Sequence, residues 1–97
     1  MIALALALAA HTSVADLRVR VEAQPRRVRE FVERRAMCNH WLGEEPYDAA
    51  RRREIERAIR SLRCGVLDSD EASLRSRYAR KPATLAILDE TADSLGW

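Results

Sequence analysis

The two cysteines, Cys38 and Cys64, constrain the fold of this chain more than any other sequence feature. In an oxidising compartment they allow a single intramolecular pairing. Joining them closes a loop of about 26 residues and so lowers the entropy of the unfolded chain. In the loop-closure model this stabilises the fold by roughly 3 to 4 kcal/mol. We therefore predict a Cys38–Cys64 disulfide. The alternatives are two reduced cysteines in the core of a cytosolic protein and a bridge between two chains.

The N-terminal segment has the pattern of an export signal. The first ten residues, MIALALALAA, form an uninterrupted apolar run. Ser13 and Ala15 then occupy the two positions that a signal peptidase reads, so we predict a leader at residues 1–15 that is cleaved after Ala15. No basic residue precedes Arg18, although such leaders normally begin with one. The alternative is that the leucines of this run belong to a buried helix or strand of the mature fold.

The predicted leader and disulfide together indicate the compartment. The apolar run is about half of the roughly 20 residues that a helix needs to cross a bilayer, so we expect no stable membrane span. Removing the leader leaves a nearly neutral domain that carries all 17 basic and 15 acidic residues of the chain. A domain this small buries only about 60 to 65% of its unfolded surface, so a cross-link adds needed stability. We predict a periplasmic or secreted protein with one folded domain.

Residues 17–23, LRVRVEA, alternate apolar and charged side chains with a period of two. This period is typical of an extended segment, and it would place Leu17, Val19 and Val21 on one side. We predict that residues 16–25 form an extended arm, which lies along the domain, pairs with a second copy or marks a misplaced start or domain boundary.

Residues 26–97 change to helical spacing, and we predict an all-α domain of about four short helices with one disulfide. The first helix should run from about Arg26 to near Asn39. The second should begin after Asp48, its predicted N-cap, and close at Gly65. The predicted core faces of these two helices are Val28, Phe31, Val32 and Ala36, followed by Ile55, Ala58, Ile59 and Leu62.

Two further helices are predicted in the C-terminal third. Asp68 with Glu71 resembles a capping box, so the third helix should begin there and continue to about Arg80. Pro82 ends that helix and is well tolerated in the first turn of a fourth, which should end at Gly96. The apolar positions predicted to face the core are Leu74 and Tyr78, then Leu85, Leu88, Ala92 and Leu95.

The segment that follows Cys38, CNHWLGEEPYD, concentrates the uncommon side chains of the chain. Tyrosine and tryptophan are favoured as interface anchors because they bury a large area while keeping a polar tip satisfied. We predict that this segment forms a binding surface. Its residues are Trp41, Glu44, Glu45 and Tyr47, flanked by Arg51 and Arg52. The alternative is that the aromatic side chains pack within the fold, with Trp41 covering the disulfide, Tyr47 capping the second helix and Trp97 folding back on the fourth.

Catalytic and metal chemistry in the same segment has weaker support. Cys38, His40 and Glu44 are metal-ligand types, but structural zinc sites have close ligand pairs at both ends, and a disulfide would consume the thiolates. Glu44 and Glu45 could act as an acid and base pair, although adjacent glutamates on a turn usually remain solvated. With Asp48 they can instead offset the arginines at the start of the second helix. We therefore predict no metal site and no cofactor.

Arginine is abundant, but its distribution does not favour nucleic acid. A phosphate-binding surface needs a one-sided basic excess. Here acids are interleaved with the arginines, as in the i to i+4 pair of Glu30 and Arg34, which is typical of a solvated helix face. We predict no nucleic-acid partner.

These features predict a small exported protein that is not an enzyme. It would act as a macromolecule-binding, inhibitor-like or accessory module, with an envelope or secreted protein as its partner. One alternative is a metal-binding or hydrolytic protein that uses Cys38, His40 and Glu44. Another is a cytosolic helical interaction protein whose leader is not cleaved.

Overall fold

The fold consists of five α-helices and one short 3₁₀ turn, seen in a computed structural model that describes residues 13–96. The helices are α1 (Val14–Glu22), α2 (Arg26–Leu42), α3 (Ala49–Ser61), α4 (Leu67–Arg77) and α5 (Pro82–Glu90), and the 3₁₀ turn is Cys64–Val66. No β-strand occurs within the described residues, and the predicted all-α class is confirmed. None of these helices has the length and apolar character needed to cross a bilayer.

The segment predicted to be extended is helix α1, so the predictions of a strand at residues 17–23 and an arm at residues 16–25 are wrong. Leu17 and Val21 lie four residues apart, which suits one face of a helix as well as one side of a strand. Val21 is buried and Leu17 packs against the same core. Val19, which a strand would place beside them, is 66% exposed. A helix also satisfies its own backbone hydrogen bonds, whereas a strand without a partner does not.

Helix α1 begins at the predicted cleavage site. The Ser13 Oγ accepts a hydrogen bond from the backbone N–H of Asp16 at 3.0 Å and caps the helix. The predicted cleavage after Ala15 falls in the first turn of this helix, and it would remove a cap worth about 1 kcal/mol. The rest of the predicted leader, residues 1–12, lies outside the described residues.

Helix α2 forms the centre of the fold, in contact with α1, α3 and α4. Its predicted core face is confirmed, because all four of the side chains expected there are buried. The helix continues past the predicted end near Asn39 to Leu42, and Gly43 is its C-cap. Around α2 the core is completed by Val21, Leu74, Ile87 and Leu88.

Helix α3 begins as predicted and ends earlier than predicted. Asp48 is its N-cap, with Oδ1 accepting the backbone N–H of Arg51 at 2.8 Å. The helix ends at Ser61, and Arg63 adopts a left-handed conformation with φ of 55°. A left-handed residue commonly terminates a helix, and glycine usually supplies it. The predicted stop at Gly65 is wrong because an arginine takes that conformation two residues earlier.

The apolar stripe predicted for α3 is only partly buried. Ile55 is its one buried side chain, and the other three apolar positions of the stripe are partly exposed. Helix α3 therefore packs on α2 with a small buried apolar face, and the disulfide adds a covalent attachment just beyond its end.

Helix α4 starts one residue before the prediction and stops short of it. Asp68 lies inside the first turn rather than at the cap, where a carboxylate still complements the helix dipole. Leu74 is buried and Tyr78 packs against the core, as predicted. The helix ends at Arg77 rather than near Arg80.

Helix α5 opens at Pro82 as predicted but ends at Glu90, well before Gly96. Its buried face also differs from the prediction, because Leu88 is the only buried member of the four apolar positions expected there. The buried positions of this face are Thr84, Ile87, Leu88 and Thr91.

Two threonines occupy that face because their hydroxyls have partners. The Thr84 Oγ1 donates to Oε1 of Gln24 at 2.6 Å, and the Thr91 Oγ1 donates to the carbonyl of Ile87 at 2.7 Å. A buried hydroxyl costs little once it is hydrogen-bonded. The sequence pattern missed the two threonines because it counted apolar side chains only, and it missed the apolar Ile87 because it placed the face in another register.

A bidentate ion pair connects α1 to α5. Arg20 donates from Nη1 to Oε1 of Glu90 at 2.7 Å and from Nη2 to Oε2 at 2.6 Å. The hydrogen bond from Arg20 is the main reason why the pKa of Glu90 lies below its usual value. The same bond raises the pKa of Arg20.

We expect Glu90→Gln to lower the Tm above about pH 5 and to have little effect below about pH 3. The pKa of Glu90 is lower in the folded than in the unfolded chain. Its contribution is therefore complete above the unfolded-state value of about 4.3 and is lost as the pH falls through the folded-state value. Thermal unfolding followed by circular dichroism across this pH range measures the difference. The control is Glu56→Gln, which changes an exposed carboxylate. A Glu90→Gln effect that persists in acid would contradict the assignment.

Candidate binding surface

The disulfide closes a loop that contains every residue of the predicted binding surface. Cys38 is fully buried in α2, and Cys64 opens the 3₁₀ turn after α3. Their Cα atoms lie 5.6 Å apart across a sequence separation of 26 residues, which confirms the predicted bridge. The turn that follows α3 is thereby tied covalently to α2, and the loop and α3 lie between the two bonded residues.

Trp41 and Arg51 form the inner part of this surface. The Arg51 guanidinium carbon lies 5.2 Å from the centre of the partly buried Trp41 ring, within cation–π range. Arg51 also contacts Glu44 at 3.3 Å and donates a hydrogen bond to Glu54. The hydrogen bond to Glu54 is the largest reason why the pKa of Arg51 is raised. Residues from α2, the connecting loop and α3 therefore meet in one cluster.

His40 joins the cluster from the last turns of α2. Its Nε2 lies 3.3 Å from the same Glu44 oxygen that contacts Arg51, and its ring packs edge-on against Trp41 with ring centres 5.5 Å apart. The Glu44 carboxylate is therefore in contact with both His40 and Arg51. The predicted role of Glu44 in offsetting an α3 arginine is matched by this contact with Arg51.

Glu45, Tyr47 and Arg52 form the outer part of the surface. All three are exposed, and the Tyr47 side chain is 82% exposed. Tyr47 borders an open hollow of about 280 Å³ that Arg51 and Glu54 also line. The six predicted residues therefore divide into an inner, mutually contacting set and an outer set that faces solvent.

The alternative site of Cys38, His40 and Glu44 lacks its thiolate. Cys38 is disulfide-bonded, and a thiolate is the form that binds zinc or attacks a substrate. Of the three residues, His40 and Glu44 contact each other. Within residues 13–96 no group of three or more histidine, cysteine, aspartate or glutamate side chains is placed to hold a metal ion.

A buried cation, Arg35, lies at the junction of α2, α4 and α5 and was not found from the sequence. Its Nη1 donates to Oε1 of Glu71 at 2.9 Å. Its Nη2 donates to the carbonyl of Leu88 at 2.6 Å and to Oγ1 of Thr91 at 3.0 Å. The available signal was its spacing, four residues after Phe31 on the buried face of α2. Because these acceptors all belong to the fold, Arg35 is a packing residue rather than a ligand-binding one.

Two ion pairs on α2 differ from the prediction. Glu30 pairs with Arg26 at 2.5 Å instead of with Arg34, and Arg34 pairs with Asp70 of α4 at 2.5 Å. The predicted Glu30–Arg34 pair is wrong because α4 packs beside α2 and offers Arg34 a tertiary partner, which a one-helix pattern does not include.

No protein-family model, curated protein or solved structure matches the chain. We therefore infer its function from the geometry of its own residues.

Proposed function

We propose that this chain is a small exported, non-enzymatic helical protein that binds another macromolecule as an inhibitor or accessory factor. The Cys38–Cys64 disulfide supports a periplasmic or secreted location, because such bonds persist where the reducing systems of the cytosol are absent. The apolar run at the N-terminus also supports export, because it has the pattern of a secretory signal.

The observation that carries the binding proposal is the exposure of Tyr47. A tyrosine ring that is 82% exposed leaves most of its apolar area in water, and burial of that area against a partner is favourable. The loop that holds it is short, running from the end of α2 to the Asp48 cap of α3, and it lies inside the ring that the Cys38–Cys64 disulfide closes. A loop fixed before binding loses less conformational entropy when the partner arrives.

The outer set also defines what the partner must offer. Glu45 and Arg52 are exposed near Tyr47 in sequence and carry opposite charges. A complementary surface would have an apolar pocket for the tyrosine ring, with a cation and an anion beside it. An envelope or secreted protein fits this requirement, and the contact would be small and centred on one aromatic anchor.

We expect Tyr47→Ala to weaken partner binding by about 30-fold or more, because a central aromatic anchor is typically worth about 2 kcal/mol. A photo-crosslinking amino acid at position 45 first identifies the partner from envelope extract. Titration calorimetry with the purified partner then compares wild type, Tyr47→Ala and Val19→Ala. Val19 is a matched control because it is an exposed apolar side chain on α1.

An unchanged dissociation constant for Tyr47→Ala would remove this surface from the proposal. An equal loss of affinity for Val19→Ala would show that the effect is not specific to the surface around Tyr47. Loss confined to Tyr47→Ala, with unchanged circular dichroism, supports the proposal.

A further inference from the structure

Four exposed cations gather at one end of the helical bundle, which we call the basic end. They are Arg27 in the first turn of α2, Arg77 at the end of α4, and Arg80 and Lys81 in the segment before α5. None of the four forms an ion pair with another residue of the part of the chain that the structure describes. Their charges are therefore available to an external ligand.

The packing of the helices brings these cations together. Arg27 and Arg77 line one open hollow of about 460 Å³ between α2 and α4. Arg77 lines a second, of about 480 Å³, together with Arg80 and Lys81. The hydrogen bond from Thr84 to Gln24 holds the first turn of α5 beside the turn that precedes α2. The basic end is therefore a continuous surface built from several elements.

Among the described residues acidic side chains are few at this end, and Glu22, which closes α1 before the turn into α2, is one of them. Residues 72–88 contain no aspartate or glutamate. The two acids in the hollow between α2 and α4 already have other partners, since Glu30 pairs with Arg26 and Asp70 with Arg34. Helices α2 and α5 begin here, but α1 and α4 end here, so the positive and negative ends of the helix dipoles largely offset one another. The positive potential of this end therefore comes from its side chains.

We propose that the basic end docks on the anionic phospholipid headgroups of a bilayer. Arginine guanidinium groups match phosphate oxygens in a bidentate way, and three of the four cations are arginines. Single-stranded nucleic acid would require an exposed aromatic platform, but the tyrosine at this end, Tyr78, packs against the core. An open, multi-element basic surface is complementary to a broad layer of negative charge. This interaction goes beyond the proposed function and does not use the Tyr47 surface.

The binding should be weak, reversible and sensitive to salt. Each cation near an anionic membrane contributes roughly fivefold to the partition coefficient. Across residues 13–96, none of the large exposed apolar side chains belongs to the segments that form this end, so no apolar anchor from these segments adds to the binding. Raising the ionic strength from about 0.01 to about 0.15 M shortens the screening length from about 30 to about 8 Å. We therefore expect most of the binding to be lost over that range.

Sedimentation with vesicles tests the proposal on the full chain. Wild type is mixed with vesicles of equimolar phosphatidylglycerol and phosphatidylcholine, or of phosphatidylcholine alone. The test variant is Arg77→Gln/Arg80→Gln/Lys81→Gln, and we expect about a 100-fold loss of partitioning to the anionic vesicles. The control is Arg53→Gln/Arg57→Gln/Arg60→Gln, which removes the same charge from exposed positions on α3. Circular dichroism confirms that both variants keep their helix content.

Binding that needs phosphatidylglycerol, falls with salt and is lost only in the basic-end variant supports the proposal. Equal losses of vesicle binding in the two variants would show that the binding depends on net charge alone, which would overturn the proposal. Failure of wild type to sediment with anionic vesicles at low salt would also overturn it. So would binding to soluble poly-glutamate that matches vesicle binding in strength and in residue dependence, because the bilayer would then be unnecessary.

Discussion

Reduction of the Cys38–Cys64 disulfide is expected to lower the free energy of unfolding by about 3 to 4 kcal/mol. The bond closes a loop of 26 residues, to which the loop-closure model assigns about 3.5 kcal/mol. The core of a domain this small supplies only a few kcal/mol of net stability. Loss of the bond should therefore remove a large part of the stability margin of the whole fold.

Helix α3 should lose the most local stability when the bond is reduced. This helix buries a single side chain, Ile55, whereas α2 buries six residues. Without the covalent tie, the contacts of α3 with α2 no longer offset the entropy of ordering it. Hydrogen exchange after reduction should accordingly show faster exchange across α3 while the amides of α2 remain protected.

Urea unfolding with and without reductant measures the global effect. The variant Cys38→Ala/Cys64→Ala is the control, since it should unfold at a lower urea concentration than oxidised wild type and should not respond to reductant. A wild-type midpoint that does not move on complete reduction, verified by thiol titration, would contradict the prediction. Equal exchange in α2 and α3 after reduction would contradict its local part.

This prediction also connects stability to the proposed binding surface. Tyr47 lies within the loop that the disulfide closes, immediately before the Asp48 cap of α3. If α3 is released, the cap and the Trp41–Arg51 stack lose their fixed geometry, and the loop must be ordered again on binding. Reduced protein should therefore bind the partner more weakly than oxidised protein even below the unfolding transition.

The helical patterns in the sequence predicted the fold where one period clearly dominated. The buried face of α2 has four apolar positions at helical spacing, and all of them are buried. In α1 the apolar residues also fit a period of two, at Leu17, Val19 and Val21. The segment was too short for its pattern to distinguish a helix from a strand. In α5 the predicted face had the wrong register: it omitted the apolar Ile87 and the buried threonines Thr84 and Thr91, whose hydroxyls are satisfied by Gln24 and by the carbonyl of Ile87.

For the candidate site, the sequence indicated a segment of the chain but not the arrangement of its side chains. Concentration of uncommon side chains after Cys38 indicated the segment, and the structure brings Trp41, Glu44 and Arg51 into contact. The roles of Tyr47 as the exposed ring and of Glu54 as a partner of Arg51 depend on how α3 packs. One-dimensional spacing does not contain that information.

The buried charge of Arg35 leads to the second large effect, which is expected for Glu71→Ala. Removing this carboxylate leaves the Arg35 guanidinium in the core with only the Leu88 carbonyl and the Thr91 hydroxyl as acceptors. Breaking a fully buried ion pair costs about 3 to 5 kcal/mol. The Glu71 side chain is 26% exposed, so water can replace part of the contact, and we expect a loss of about 2 to 3 kcal/mol.

Replacing the buried cation itself should cost less than removing its partner. Arg35→Met keeps most of the side-chain volume and takes away the charge that needs compensation. The Nε of Arg35 has no hydrogen-bond partner among the described residues, so this cation is incompletely satisfied even in the native fold. The Thr91 hydroxyl retains its bond to the Ile87 carbonyl after the change. We expect Arg35→Met to lower the free energy of unfolding by about 1 kcal/mol.

Urea unfolding of the two variants and of the double variant Arg35→Met/Glu71→Ala tests this ordering. The double variant should be more stable than Glu71→Ala alone, because the cation that lacked a partner is gone. Asp68→Asn is the control, since it removes an exposed carboxylate from the same helix and should change stability by about 0.5 kcal/mol or less. If Arg35→Met proves the more damaging change, the guanidinium contributes net stability, and its contacts with the Phe31 ring and the α5 carbonyl outweigh the cost of burying it.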